Sequence, residues 1–169
     1  MNKALVGIIM GSDSDLNVMK KVAHILEKFG IRYEINIISA HRTPHLAHDY
    51  AVNSANRGLE VIIAGAGGAA HLAGVIAALT PLPVIGVPMQ TQSLGGIDSF
   101  FFTAQMPAGV PEATMAIGNA GAENAAILAA QILGTKFAEM REKVNAYKSE
   151  LAEQVKEKNR RLHEKQNNG

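Results

Sequence analysis

The sequence predicts an α/β fold in which helices cover both faces of a parallel sheet. Short apolar runs alternate along the chain with segments of helical periodicity. Two of the runs, at residues 5–10 and 61–64, are apolar throughout, as in strands that are buried on both faces. Each predicted strand is followed by a helix, which favours right-handed crossovers between parallel neighbours. A chain of 169 residues, 47% of them hydrophobic, fits one well-filled core, so we expect a single domain.

The individual elements follow from this pattern in chain order. Strands are predicted at residues 5–10, 33–38, 61–64, 84–87 and 114–117. Helices of the main body are predicted at residues 16–29, 44–56, 72–79, 97–105 and 120–133. Gly30 and Gly58 follow the first two helices, and glycine is a preferred residue just beyond a helix C-terminus. The helix at 120–133 is apolar on nearly every side, which predicts a core helix or, as an alternative, a subunit interface.

The C-terminal segment predicts one long amphipathic helix. Its apolar residues recur at alternating three- and four-residue steps: Phe137, Met140, Val144, Tyr147, Leu151 and Val155. A helix this long cannot bury its whole apolar stripe on so small a domain. We therefore expect a main body at residues 1–135 and, within the same single domain, a C-terminal helix at 136–169 that packs on neighbouring subunits. Residues after Arg161 are expected to be frayed.

The composition excludes several classes of function. A net charge of +1 gives no broad electrostatic basis for binding nucleic acid or an anionic membrane. The absence of cysteine excludes disulfides and thiolate zinc sites. The sequence shows no signal-type segment and no long uncharged apolar span, so we expect a cytoplasmic protein. Residues 58–135 contain no Lys or Arg, so a basic contact to an anionic ligand must come from the first third of the chain or from another subunit.

Three loops at the carboxyl ends of the first three strands form the candidate site: residues 11–15, 39–44 and 65–72. Open α/β sheets bind ligands at this edge, where the strand order reverses. If the order is the common doubly wound 2-1-3-4-5, the reversal lies between strands one and three. The three loops would then border one crevice.

The first loop, Gly11-Ser12-Asp13-Ser14-Asp15, is rich in hydroxyl groups and opens a helix. Its backbone N–H groups, with Ser12 and Ser14, suit a phosphate at the positive end of that helix. The carboxylates of Asp13 and Asp15 would repel a phosphate, although an Asp here can accept hydrogen bonds from sugar hydroxyls. The alternative is that Asp13 or Ser14 only caps the helix.

The second loop, Ser39-Ala40-His41-Arg42-Thr43-Pro44, contains two residues suited to ligand chemistry, His41 and Arg42. We predict Thr43 as the N-cap and Pro44 as the first helical residue. Arg42 is then the only Lys or Arg of the main body at the ligand edge, and its planar guanidinium suits a phosphate. The imidazole of His41 can give and take a proton near neutral pH, which makes it a candidate acid–base catalyst. A structural or solvated histidine is the alternative.

Two further motifs suggest cofactors that we do not expect. The spacing of His41, His45 and His48 resembles a metal site, but His41 precedes the helix and shares no face with His45, so no metal is expected. The third loop contains a G-x-G-x-x-A pattern, yet it follows the third strand and no acidic residue stands about twenty positions on, so NAD binding is not expected. A loop of Gly and Ala instead lets a ligand lie against backbone amides, with His71 as a candidate polar contact.

Five motifs together resemble those of a known enzyme family. They are MGSDSD at residues 10–15, SAHRTP at 39–44, GAGGAAHLAG at 65–74, GVP at 86–88 and QMPAGVP at 105–111. In this order and spacing they closely resemble the class I N5-carboxyaminoimidazole ribonucleotide mutases of bacterial de novo purine biosynthesis. The resemblance covers about residues 5–133. It departs at HLAG, where the family usually has HLPG and Ala73 therefore lacks a fixed φ, and at QTQSLGG, where the family is richer in Ala and Ser.

The resemblance implies a flavodoxin-like three-layer α/β/α sandwich assembled into a homo-octamer. It implies a reaction that moves a carboxylate from the exocyclic nitrogen of an imidazole ribonucleotide to ring carbon C4, without metal or organic cofactor. His41 would be the catalytic acid and base. Ser14 and Arg42 would bind the 5'-phosphate, Asp15 the ribose, and Ser12 the migrating carboxylate with the backbone of residues 65–70. The full set of implied substrate contacts is Ser12, Ser14, Asp15, Ser39, Arg42, Gly67, Ala69, His71 and Leu72.

Two alternatives stay open at the level of sequence. The related class II activity carboxylates aminoimidazole ribonucleotide with free carbon dioxide, on the same fold and with the same histidine. The other alternative is a non-catalytic flavodoxin-like domain that binds FMN or another nucleotide through the first loop. A flavin protein would be yellow, whereas we expect a colourless one.

Overall fold

The computed structural model describes residues 3–167 and shows a three-layer α/β/α sandwich. The strands are β1 (Val6–Met10), β2 (Tyr33–Ile37), β3 (Val61–Ala66), β4 (Val84–Pro88) and β5 (Ala113–Thr114). The helices are α1 (Leu16–Phe29), α2 (Pro44–Arg57), α3 (Leu72–Leu79), α4 (Ile97–Ala104), α5 (Asn119–Lys136) and α6 (Ala138–Asn167). The strands form one parallel sheet in the order β2-β1-β3-β4-β5. The predicted flavodoxin-like fold and strand order are confirmed.

Successive side chains of the central strands point to opposite faces of the sheet. Ile8 of β1 joins the core beneath α1 and α5, whereas its neighbour Ile9 joins the core beneath α2 and α3. On β3, Ile63 and Ile62 divide in the same way. Because both faces are covered, the central strands carry apolar residues at nearly every position, which is why their runs were visible in the sequence.

Most helices end close to the residues that the sequence predicts. Gly30 and Gly58 follow α1 and α2 with φ of 69° and 97°, a left-handed conformation that glycine adopts without strain. The fifth strand was predicted at 114–117, but β5 comprises only Ala113–Thr114. Beyond Thr114 the chain still runs beside β4, since Met115 N bonds Gly86 O at 2.9 Å and Gly118 N bonds Pro88 O, but the regular strand pairing ends before α5 begins at Asn119.

The long C-terminal helix is only partly buried. Met140 and Val144 lie in the core against α1 and α5, but farther along Leu151 is 43%, Val155 65% and Leu162 54% exposed. The helix continues to Asn167, beyond Arg161, where the sequence predicted fraying. Within residues 3–167, none of the helices has the length and apolar character needed to span a bilayer.

Glu112, directly before β5, has a carboxyl group whose two oxygens are buried. Its Oε1 lies beside Gly86 of β4 and its Oε2 beside Gly74 of α3. Within the described residues, neither oxygen has a hydrogen-bond partner, and both are shielded from solvent. This burial raises the pKa of Glu112 from 4.5 to about 7.

We expect Glu112 to make the fold less stable as the pH rises. Since its pKa is higher in the folded chain, the free energy of unfolding falls between about pH 4.5 and about pH 7 and then levels off. After allowance for solvent screening, the loss is about 2 kcal/mol between pH 5 and pH 8. Glu112→Gln should remove this loss in thermal or urea unfolding, whereas Glu123→Gln, at an exposed position of α5, should retain it. An unchanged pH dependence in Glu112→Gln would refute the assignment.

Candidate functional site

A cavity of about 560 Å³ opens at the carboxyl ends of β1, β2 and β3. The strand order sets the three predicted loops around it, because β1 lies between β2 and β3. All ten candidate residues named from the sequence line this cavity: Ser12, Ser14, Asp15, Ser39, His41, Arg42, Gly67, Ala69, His71 and Leu72. The structure thus brings the candidate set together, while the role of each residue stays a prediction.

The loop between β2 and α2 is held in shape by hydrogen bonds that begin and end within it. Thr43 stands at the N-cap position and Pro44 begins the helix, as predicted. The Thr43 hydroxyl, however, bonds within the loop and does not cap the helix. It donates to Ser39 O at 2.9 Å and accepts from Ser39 N at 3.0 Å. Ser39 Oγ accepts in turn from Arg42 N at 3.2 Å. These bonds fix the backbone of His41 and Arg42 before any ligand arrives.

Arg42 connects the second loop to the first. Its Nη2 donates to Gly11 O at 2.8 Å, directly after β1. The side chain is otherwise exposed to the cavity that Ser12 and Ser14 also line. A guanidinium held this way presents a fixed positive charge beside the start of α1, which is a favourable place for an anion.

The first loop forms a single 3₁₀ turn at Asp13–Asp15 before α1 begins. Ser12 caps this turn, since its Oγ accepts from Ser14 N at 3.3 Å, and Asp15 occupies the N-cap position of α1. The alternative that Asp13 or Ser14 caps the helix is therefore wrong, because both residues lie inside the turn.

Asp15 is the carboxylate of this loop that lines the cavity. It accepts a hydrogen bond from Ser14 Oγ at 3.2 Å. Partial burial raises the pKa of Asp15 above its ordinary value of 3.8, with a smaller contribution from the neighbouring charge of Asp13. Hydroxyl donors of a ligand would replace the lost hydration, so the position suits a sugar better than a phosphate.

Two histidines meet across the cavity. His41 Nε2 lies 2.8 Å from His71 Nδ1, and the rings are nearly perpendicular, at 85° with centroids 5.0 Å apart. At this distance one nitrogen must donate and the other accept, so the two nitrogens share one proton. His71 was predicted as a ligand contact, but its partnership with His41 was missed. The strand order β2-β1-β3 could have predicted this contact, because it places the loops after β2 and β3 on either side of β1.

The third loop packs closely at its glycines. A Cβ on Gly67 would lie 3.1 Å from Met89 Cβ, and Gly68 adopts a φ of 64°. Gly68 N donates to Ser99 Oγ at 2.9 Å, and Ser99 is fully buried at the start of α4. These contacts hold the backbone of the loop at the cavity wall and leave room for a small ligand group there.

Met89 and Gln90, directly after β4, form one wall of the cavity that was not predicted from the sequence. The rule that ligands bind at the carboxyl ends of parallel strands applied to β4 as well and would have found them. Gly11, Ala40 and Ala66 complete the lining.

The side chains of His41, His45 and His48, whose spacing resembles that of a metal site, do not converge. His48 Nδ1 contacts the adjacent Asp49 Oδ1 at 3.1 Å on the surface of α2. Across residues 3–167, no three His, Asp or Glu side chains converge as metal ligands would.

Both the sequence and the fold are similar to those of known proteins. A family model described as AIR carboxylase matches residues 5–154. The chain is 60% identical over 162 residues to an N5-carboxyaminoimidazole ribonucleotide mutase of Pyrococcus horikoshii, covering 96% of this chain and 90% of that one. It is 62% identical over 157 residues to the same-named protein of Thermotoga maritima, covering 93% and 91%. The crystal structure of Treponema denticola PurE is similar with a TM-score of 0.85 at 30% identity, covering 95% of this chain and 99% of that one.

Proposed function

Because the chain belongs to the AIR carboxylase family, we propose that it is a mutase of purine biosynthesis. It converts N5-carboxyaminoimidazole ribonucleotide into 4-carboxyaminoimidazole ribonucleotide. Relatives that carry the name of this mutase match nearly the whole chain, so they favour it over carboxylation of aminoimidazole ribonucleotide by free carbon dioxide. The observation that carries the proposal is the His41–His71 pair beside Arg42 in one cavity.

The proposed reaction needs one proton, which the enzyme lends and recovers. As the N5–carboxylate bond breaks and carbon dioxide leaves, His41 donates a proton to ring carbon C4. His41 then takes a proton back from C4, and the electron pair released there attacks the trapped carbon dioxide. The hydrogen left on C4 finally leaves as a proton while the exocyclic nitrogen gains one, which restores the aromatic ring and the amino group. No electron is gained or lost, so the chemistry calls for no redox cofactor.

The shape of the site suits this sequence of steps. Arg42 and Ser14, beside the start of α1, bind the 5'-phosphate, and Asp15 accepts hydrogen bonds from the ribose hydroxyls. Ser12 and the backbone around Gly67 and Ala69 face the carboxylate. Carbon dioxide is small and uncharged and would escape from an open site, so a wall of Gly and Ala backbone keeps it near C4.

The proposal also includes assembly into a homo-octamer in the cytoplasm. The exposed Leu151 and Val155 on α6 support self-association, because an isolated chain leaves this stripe in water. In this view residues 1–135 form the catalytic body and the helix from 136 packs on neighbouring subunits. Light scattering should give a mass eight times that of the chain, and a monomer would contradict the assembly.

We expect Arg42→Ala to weaken binding of the ribonucleotide by about 10- to 100-fold, the effect of losing a charge-assisted phosphate contact. Calorimetry with 4-carboxyaminoimidazole ribonucleotide measures this directly. The corresponding nucleoside, which lacks the phosphate, should bind wild type and variant equally. Arg57→Ala is a matched control, since Arg57 pairs with Glu34 away from the cavity. Unchanged nucleotide affinity in Arg42→Ala would rule out the phosphate role.

The reaction itself is tested by mixing the metal-free protein with N5-carboxyaminoimidazole ribonucleotide, without ATP or added bicarbonate. Ultraviolet absorbance should report formation of the C4-carboxylated product. Turnover that requires aminoimidazole ribonucleotide and carbon dioxide instead would mean the class II reaction. A yellow protein with bound flavin would mean the non-catalytic alternative.

A further inference from the structure

His71 has a second aromatic neighbour on the side of α4. The ring of Phe102 stands at 87° to the His71 ring, with centroids 5.3 Å apart. This is the edge-to-face arrangement that aromatic pairs prefer. His41, His71 and Phe102 therefore form a row of three rings, each nearly perpendicular to the next.

Phe102 is a large apolar side chain that the single chain leaves half exposed, as it does Ile97 and Phe101 of the same helix. It is 51% exposed, so its burial in the chain does not explain it. Its neighbour Phe101 is exposed to the same degree, at 54%, but packs its ring against Phe100. The contact with His71 distinguishes Phe102 from the other aromatic residues of α4.

The helix that carries Phe102 is anchored to the site by two partly buried hydrogen bonds. Ser99 on α4 accepts from Gly68 N at 2.9 Å, in the loop that also carries His71. Asp98 accepts from Thr91 Oγ1 at 2.8 Å, in the loop that follows Gln90. Phe102 is thus fixed relative to the backbone of His71, so its ring can restrain the direction in which the His71 imidazole points.

We propose that Phe102 is a positioning residue that holds His71, and through it His41, in the orientation for proton transfer. The His71 side chain is largely exposed and, without a neighbour, would exchange among rotamers. Each change of rotamer would break the bond to His41 Nε2. The ring of Phe102 restricts these changes, so the bond from His71 to His41 is kept and the His41 ring holds its direction. This inference rests on the proposed role of His41.

The test compares Phe102→Leu, which removes the ring, with Phe102→Tyr, which keeps it. Phe101→Leu makes the same change at an equally exposed position that does not touch His71. In Phe102→Leu, kcat should fall about three- to tenfold, with KM unchanged. Phe102→Tyr should restore kcat, and Phe101→Leu should leave it at the wild-type value.

A second readout does not depend on turnover. Proton NMR should show the ring signals of His71, assigned with the help of His71→Asn, displaced by the Phe102 ring current in wild type. The displacement should disappear in Phe102→Leu and persist in Phe101→Leu and Phe102→Tyr. Equal kcat in wild type and Phe102→Leu, an equal fall in Phe101→Leu, or unmoved His71 signals would each overturn the inference. If the wild type lacks mutase activity, the proposed function fails, and the NMR comparison still decides whether Phe102 orders His71.

Discussion

His41→Asn is expected to lower kcat by about a thousandfold, within the range lost when a positioned acid–base catalyst is removed. Asparagine keeps the approximate size and polarity of the side chain but cannot lend a proton to C4 and take it back. The phosphate and ribose contacts assigned to Arg42 and Asp15 stay intact, so the affinity for 4-carboxyaminoimidazole ribonucleotide should change by less than about threefold. The loss should therefore appear in kcat and leave binding in place.

The matched control is His45→Asn, at the second residue of α2. His45 is exposed on α2 and does not line the cavity, so this variant should turn over at the wild-type rate. Steady-state kinetics and calorimetry on the two variants separate catalysis from binding. Turnover of His41→Asn within tenfold of wild type would remove His41 from the proton-transfer step.

Gly121→Ala is expected to destabilise the fold by about 3 kcal/mol, although the same change usually stabilises a helix. Gly121 lies in the first turn of α5, where a Cβ would overlap the carbonyl oxygen of Ala116. This neighbour is backbone and cannot rotate away, so the chain leading from β5 into α5 would have to shift. For a chain of this size the midpoint of thermal unfolding should fall by about 6–12 °C.

Gly11→Ala serves as the control for this prediction. Among residues 3–167, no atom beyond Gly11 and its two chain neighbours lies within 4 Å of the position that its Cβ would take, so the midpoint should stay close to that of wild type. Because Gly11 lines the cavity, this control is read by unfolding and not by activity. A midpoint for Gly121→Ala equal to or above that of wild type would show that the approach to Ala116 is not close enough to exclude a methyl group.

Much of the fold was predictable because it depends on local patterns. The apolar runs of β1 and β3 record burial on both faces, and Gly30 and Gly58 mark helix ends through their own conformation. The end of β5 was not predictable, since it depends on where the chain must turn to pack α5 against Ala116. The sequence pattern near Thr114 does not show where the regular pairing with β4 stops.

The candidate site was likewise predictable only in part. The three loops could be assigned to one edge because strand order follows from topology, and His41 and Arg42 stood out by residue type. The bond from His41 to His71 joins residues thirty positions apart, and the bond from Gly68 to Ser99 joins residues thirty-one apart. Such pairs arise from the approach of separate elements, and periodicity carries no information about them. Helical periodicity places Phe102 on α4 but does not show its contact with His71.

In the proposed reaction, one carboxylate moves within one bound ribonucleotide, with His41 lending the proton. The most direct test supplies substrate labelled with ¹³C at the N5-carboxylate to the purified enzyme in buffer containing unlabelled bicarbonate. NMR of the product then gives the isotope content at the C4-carboxylate. We predict that the product keeps most of the label and that His41→Asn forms almost none of it. A product with unlabelled carboxylate would show that the enzyme takes carbon dioxide from solution and would contradict the mutase account.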